Sequence, residues 1–203
     1  MSVILAKALC LHAHAADLGF LNPVRNRMGR VIGGGFRGHV LANKASHAQG
    51  RFELSSSGRA FVVVFAHGGR SYIRGGGVVN RATGEVIEEP RFVTHRDAAL
   101  FSDQVVFCLD CDSNELAQSC LSAGALSFVG FDGVPFDRFD ENGNPITNHE
   151  FEVHTQRLLA GAIMSTMERF LSGKSTLVEA RETGCHYFPD SGNPHNPPQI
   201  CLP

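Results

Sequence analysis

The chain has 203 residues and a mass of 21.9 kDa, 43% hydrophobic and 19% charged, the composition of one globular domain able to close a core. Eighteen basic against twenty acidic residues leave a formal charge of −2, which argues against a nucleic-acid or anionic-membrane footprint. No apolar run approaches the roughly 20 residues of a membrane helix, and a (β/α)8 barrel normally takes about 250 residues.

Residues 3–12 are mostly apolar and fit a strand or a buried helix, because a short apolar run has no distinguishing period. Ala13-His14-Ala15 looks like a cleavage site, but Lys7 interrupts the apolar stretch and no basic leader precedes it; a cytoplasmic chain is expected. Cys10, His12 and His14 alternate and would share a strand face, as metal ligands can. Asp17 completes no common ligand spacing, so an interior strand is the favoured account and no metal or other cofactor is expected.

Residues 19–38 read as irregular. Within them Gly33-Gly34-Gly35-Phe36-Arg37-Gly38 satisfies G-x-G-x-x-G, with Arg30-Val31-Ile32 before it, a short helix expected at 39–49, and Glu53 twenty residues past Gly33. That is a dinucleotide fingerprint on paper. The preceding strand would be very short, and 22 glycines raise the chance of coincidence. It leaves an alternative in which the Gly33 to Gly38 loop binds a nucleotide or phosphate-bearing regulator in a non-peptidase α/β module.

After a turn at Ser55-Ser56-Ser57-Gly58, residues 60–66 form the clearest strand, β-branched and aromatic on both faces, as in a covered parallel sheet. Glycine-rich segments follow, then a hairpin over 78–93 with its turn at Ala82-Thr83-Gly84. A short helix is expected at 94–101, a second buried strand at 104–109, a helix over 115–122 capped by Ser113 or Asn114, and a third apolar strand at 125–131. Residues 132–148 are crowded with Pro, Asn, Asp and Gly and read as a long surface loop. Leu158, Leu159, Ala162, Ile163, Met167, Phe170 and Leu171 recur at helical spacing across 150–171. Residues 175–182 add a turn or two of helix. The expected whole is an α/β, three-layer α/β/α sandwich with a mostly parallel central sheet, one domain over 1–183 and an irregular tail over 184–203.

Six cysteines are too sparse for a disulfide scaffold at this size, and they read as reduced thiols. Cys108 and Cys111 spell C-x-x-C, but Cys108 falls inside a strand and reads as core. Cys185, His186, His195 and Cys201 in the tail fit no common zinc spacing.

In parallel sheets, ligands bind beyond the carboxyl ends of the strands. Two of those exits carry reactive groups: His67 after the strand at 60–66, and Cys111 after the strand at 104–109. An imidazole that takes the thiol proton, with backbone N–H groups waiting for an oxyanion, makes a cysteine nucleophile. Gly68 and Cys111 can each offer such an N–H, and a helix N-terminus beside the thiol favours thiolate.

His67-Gly68 after one apolar strand, and Asp110-Cys111-Asp112-Ser113 after the next, 44 residues from His67 to Cys111, resemble the caspase-like (clan CD) cysteine peptidases, which include caspases, metacaspases and CHAT-domain peptidases. The resemblance covers roughly residues 60–181. It departs in Asp110, where many relatives carry a small residue, and in the short, glycine-rich segment before His67. It implies an endopeptidase with a thioester intermediate, a peptide or protein substrate, and activation by a small molecule, a protein or self-association, as in bacterial death and antiviral-defence effectors. It also implies an acidic or basic P1 choice made at the rim. Asp132 would serve a basic side chain, and Arg37, Arg70 or Arg74 an acidic one.

Overall fold

The structure, a computed structural model, describes residues 7–58, 60–79, 82–83, 86–88, 90–110, 113–130 and 149–174. In chain order its strands are β1 (Ala8–Ala13), β2 (Phe36–Leu41), β3 (Phe61–Phe65), β4 (Gly68–Gly69), β5 (Tyr72–Arg74), β6 (Val78–Val79), β7 (Val86–Glu88), β8 (Arg91–Thr94), β9 (Val105–Leu109) and β10 (Ser127–Val129). Strands β2-β1-β3-β9-β10 hydrogen-bond in that order, every pair parallel. The insert between β3 and β9 is antiparallel: β4-β5-β8 form one small sheet, and β6 pairs with β7 as the expected hairpin.

Among the described residues four α-helices flank the central sheet: α1 (Asn22–Ile32), α2 (Lys44–Ser56), α3 (Asn114–Ser122) and α4 (His149–Leu171). Helix α1 packs on α4, and α2 and α3 both pack on the 3-10 helix His95–Phe101, so the helices divide into two layers. Phe170 of α4 lies against Phe61 of β3, ring centroids 4.7 Å apart, which fixes the α1/α4 layer to one face. The domain is thus a three-layer α/β/α sandwich.

Burial explains the strands. All of Phe61-Val62-Val63-Val64-Phe65 and all of Val105-Val106-Phe107-Cys108-Leu109 are buried, because helices cover both faces and neither side chain direction reaches water. The same holds for β1, whose six residues are all buried, so the first apolar segment is a strand from Ala8.

Two expectations fail between residues 19 and 49. The segment read as irregular holds α1 and the edge strand β2. Pro23 sits in the first turn of α1, where its missing N–H costs nothing. Only Val24 and Met28 of that helix are buried, so its apolar period is two residues long and drowned by arginine and asparagine. The helix expected at 39–49 begins instead at Lys44, because residues 39–41 belong to β2. Its start is set by Asn43, whose side chain accepts the Ser46 N–H at 2.9 Å while Ser46 Oγ accepts the Asn43 N–H at 2.9 Å.

This also corrects the dinucleotide reading. Gly33–Gly35 is a 3-10 turn after α1, and Phe36-Arg37-Gly38 opens β2. The order is helix, turn, strand, the reverse of the strand, loop, helix order that aims N–H groups at a phosphate. Glu53 pairs with Arg37 at 3.3 Å. The loop at 132–148, the turn at 175–182 and the tail at 184–203 lie outside the described residues. No helix among the described residues is long and apolar enough to cross a membrane.

Candidate active site

Strands β3 and β9 are parallel neighbours in a register that pairs Phe65 with Leu109, and the Ala66 N–H donates to the Leu109 carbonyl at 3.2 Å. His67 and Cys111 are each the second residue after that pair in the sequence. His67 is half-buried, and its carbonyl accepts the Arg74 N–H at 2.7 Å, which hands β3 over to the insert at the sheet rim. Cys111, Asp112 and Asp132 lie outside the described residues. The residues on either side of the first two, Asp110 and Ser113, are described, and both are buried.

Gly68 pairs with Ile73. Because His67 O takes the Arg74 N–H, Gly68 and Ile73 form a non-hydrogen-bonded pair, so the Gly68 N–H turns away from β5. Position 68 has no room for a side chain: a Cβ there would fall on the Asp110 carboxylate and come within 2.9 Å of the Tyr72 carbonyl oxygen. The exit of β10 shows the same economy of space, since a Cβ at Gly130 would fall on Ser113 Oγ.

A second tie joins the two exits. The turn after β4 is bonded to the start of α3 and to the helix before β9: the Leu116 N–H donates to the Arg70 carbonyl at 2.9 Å and the His95 N–H to the Ser71 carbonyl at 2.7 Å. Ser113 is the N-cap of α3, as expected, but makes no side-chain capping bond. The positive end of α3 therefore sits two residues after position 111, where it favours an anion.

Of the arginines weighed for an acidic substrate, Arg37 is excluded from the rim, because it lies near the start of β2, at the opposite end of a parallel strand, and pairs with Glu53. Arg70 and Arg74 are at the rim. Arg74 reaches the Tyr72 hydroxyl at 3.4 Å, and the Arg91 guanidinium stands 4.4 Å from the centre of the Tyr72 ring.

The described thiols are inert by environment. Burial pushes Cys10 up to about 12, against the small lowering effect of Arg25, and burial alone does the same to Cys120. Burial raises Cys108 well above the ordinary thiol range, and the charge and hydrogen bond of Asp110 raise it further. A redox role for Cys108 in C-x-x-C therefore lacks a thiolate. His12 Nε2 bonds with the Leu18 carbonyl at 3.2 Å, and no cluster able to hold a metal occurs among the described residues. The tail residues Cys185, His186, His195 and Cys201 lie outside them.

The contact between Asp110 and Gly68 escaped sequence reasoning, although its signal was present: Asp110 directly follows β9, two residues on from buried Cys108, and the strand's alternation carried one residue further turns it inward. No protein-family model matches the chain, and no curated protein matches it.

Proposed function

We propose that the chain is a caspase-like cysteine endopeptidase, with His67 as general base, Cys111 as nucleophile, and the N–H groups of Gly68 and Cys111 as oxyanion donors. The observation that carries this reading is the parallel register of β3 and β9, which starts both segments from one hydrogen-bonded pair at one end of the sheet. The Gly68 amide turned away from β5, the Asp110 contact and the Arg70 anchor support it.

In this reaction His67 takes the proton of the Cys111 thiol, and the sulfur adds to the scissile carbonyl carbon. The oxyanion rests on backbone N–H groups, the C–N bond breaks, and the amine leaves with the proton from the imidazolium. Water, deprotonated by His67, then hydrolyses the thioester. No step calls on a metal or other cofactor. The arginines around Tyr72 favour an acidic side chain at the cleavage site. In this reading the enzyme acts in a reducing cytoplasm as a regulated effector, switched by a small molecule, a partner protein or self-association.

The test is a fluorogenic peptide library arrayed for acidic and basic P1 residues, run on wild type, Cys111→Ala and His67→Ala. Cleavage that disappears in both variants, each retaining its fold by circular dichroism, is the expected result. Undiminished turnover in purified Cys111→Ala overturns the reading.

A further inference from the structure

Strand β2 is the outer strand of the central sheet, and among the described residues no strand pairs with its far side. The His14 N–H donates to the Leu41 carbonyl at 2.9 Å, which turns the backbone of Leu41, and by alternation that of His39 and Arg37, toward β1. The N–H and C=O groups of Gly38 and Val40 therefore face outward, and both residues are exposed. Cations bracket this edge. A Cβ at Gly38 would stand 3.4 Å from the Phe36 ring and 3.8 Å from Arg25 Cδ, so Arg25 lies on the α1 side of the edge. Arg37, its side chain 75% exposed, lies on the α2 side against Glu53. Arg30 stands in the last turn of α1 before the strand, and Lys44 opens α2 just after it. Residues 18–52 contain no Asp or Glu, in a chain whose net charge is −2. Arg27, Arg37 and Arg51 pair with carboxylates from elsewhere in the chain, whereas Arg25, Arg30 and Lys44 make no ion pair among the described residues.

We propose that the edge of β2 is a docking site for an acidic, extended segment of another protein, which adds to the sheet as a further strand. The outward groups of Gly38 and Val40 alternate donor and acceptor, the pattern that a peptide backbone matches. A phosphodiester accepts but does not donate, and leaves the two carbonyls unmet. Main-chain bonds hold the segment, and the cations choose its charge: carboxylates on one face of the added strand meet Arg25, those on the other meet Arg37. A second copy of this chain is the wrong occupant, since pairing β2 with its own copy sets these cations against themselves. The edge takes part in no step of the cleavage proposed above, so the docking site stands whether or not the chain is a peptidase.

The experiment is fluorescence anisotropy of a labelled peptide, Glu-Val-Glu-Val-Glu-Val, on the full chain carrying Cys111→Ala, so that cleavage cannot remove the probe. The acidic probe binds, and its lysine counterpart and its fully N-methylated analogue bind about tenfold more weakly or not at all. Val40→Pro weakens the acidic probe by a similar factor and keeps the fold, because the Val40 N–H faces away from β1 and proline is accepted at such an edge position. Should that variant not fold, the N-methylated probe on the unaltered edge decides. Arg25→Glu/Arg37→Glu moves the preference to the lysine probe. No binding of the acidic probe at about 1 mM, or equal binding of its N-methylated analogue, overturns the proposal. So does binding that survives Val40→Pro and disappears in Arg74→Gln, which seats the probe at the His67 rim. A thymidine oligonucleotide that binds as tightly as the peptide, or a dimer in sedimentation velocity that Val40→Pro dissolves, gives the edge to another occupant and overturns it as well.

Discussion

The two ends of the central sheet solve the same problem in opposite ways. At the amino end, around the start of β9, polar side chains satisfy one another: Arg51 bonds Asp97 at 2.6 Å and the Phe92 carbonyl at 2.9 Å, while Asp97 also accepts from the Thr94 N–H and hydroxyl. A cavity of about 710 Å3 opens there, lined by Arg51, Asp97, Asp103 and Gln104 among others. At the carboxyl end, glycines bring backbone against buried polar groups. Gly68 faces Asp110, Gly130 faces Ser113, Gly75 lies on the His47 ring, and Gly76 lies on the Leu41 carbonyl and the His14 amide. This cavity thus lies at the end with mutually bonded polar groups, whereas His67 lies at the end packed through glycine.

That contrast predicts that changes at the carboxyl end alter reactivity and changes at the amino end alter stability. The largest effect is at the first: on the proposed peptidase reading, His67→Ala lowers peptide cleavage by about a thousandfold, the scale of a lost general base, with little change in the thermal midpoint because the residue is only half-buried. Cleavage that survives in this variant breaks the contrast. Gly130→Ala drives a methyl into buried Ser113 and costs about 1–3 kcal/mol in urea unfolding, the cost of overpacking, together with slowed Cys111 alkylation.

Asp97→Ala should cost about 1 kcal/mol, chiefly as a lost cap, and leave alkylation untouched. Arg51 first, aided by the Thr94 bonds and against a smaller opposing effect of burial, holds the Asp97 carboxyl down to about 2. Its folded pKa lies below its unfolded value, so this stabilisation is present above about pH 4 and disappears as pH falls toward about 2. Urea midpoints across that window are flatter in Asp97→Ala. The ion pair itself adds little, since Arg51 is 40% exposed.

The smallest effect sharpens the comparison at neutral pH. Burial, then the Arg25 charge, lowers the His12 pKa, and burial, then His39, lowers that of His47. The unfolded chain therefore binds more protons, and stability falls as pH drops below about 6.5. In His12→Gln/His47→Gln the difference between urea midpoints at about pH 7.5 and 5.5 shrinks.

Much of this was legible in the residues. The buried strands at 61–65 and 105–109 announce themselves because burial on both faces demands an unbroken β-branched and aromatic run. The 3-10 helix at His95–Phe101 is legible through Thr94 and Asp97, whose side chains make a capping box. Helix α1 was not, because two buried residues among asparagines and arginines carry no readable period. The Gly33 to Gly38 motif misled for a related reason: a pattern of glycines does not state whether a helix precedes or follows it.

The sequence by itself determined the layer architecture and the exit of β3 at His67, since these follow from local hydrophobic pattern and chain order. Only the tertiary structure decided that β3 and β9 are neighbours in the register Phe65 to Leu109, that Arg37 stands at the wrong end of its strand, and that Asp110 fills the space beside Gly68. These are relations between segments tens of residues apart, fixed by hydrogen-bonded register and close packing, and no local pattern encodes the partner a residue will meet across the fold.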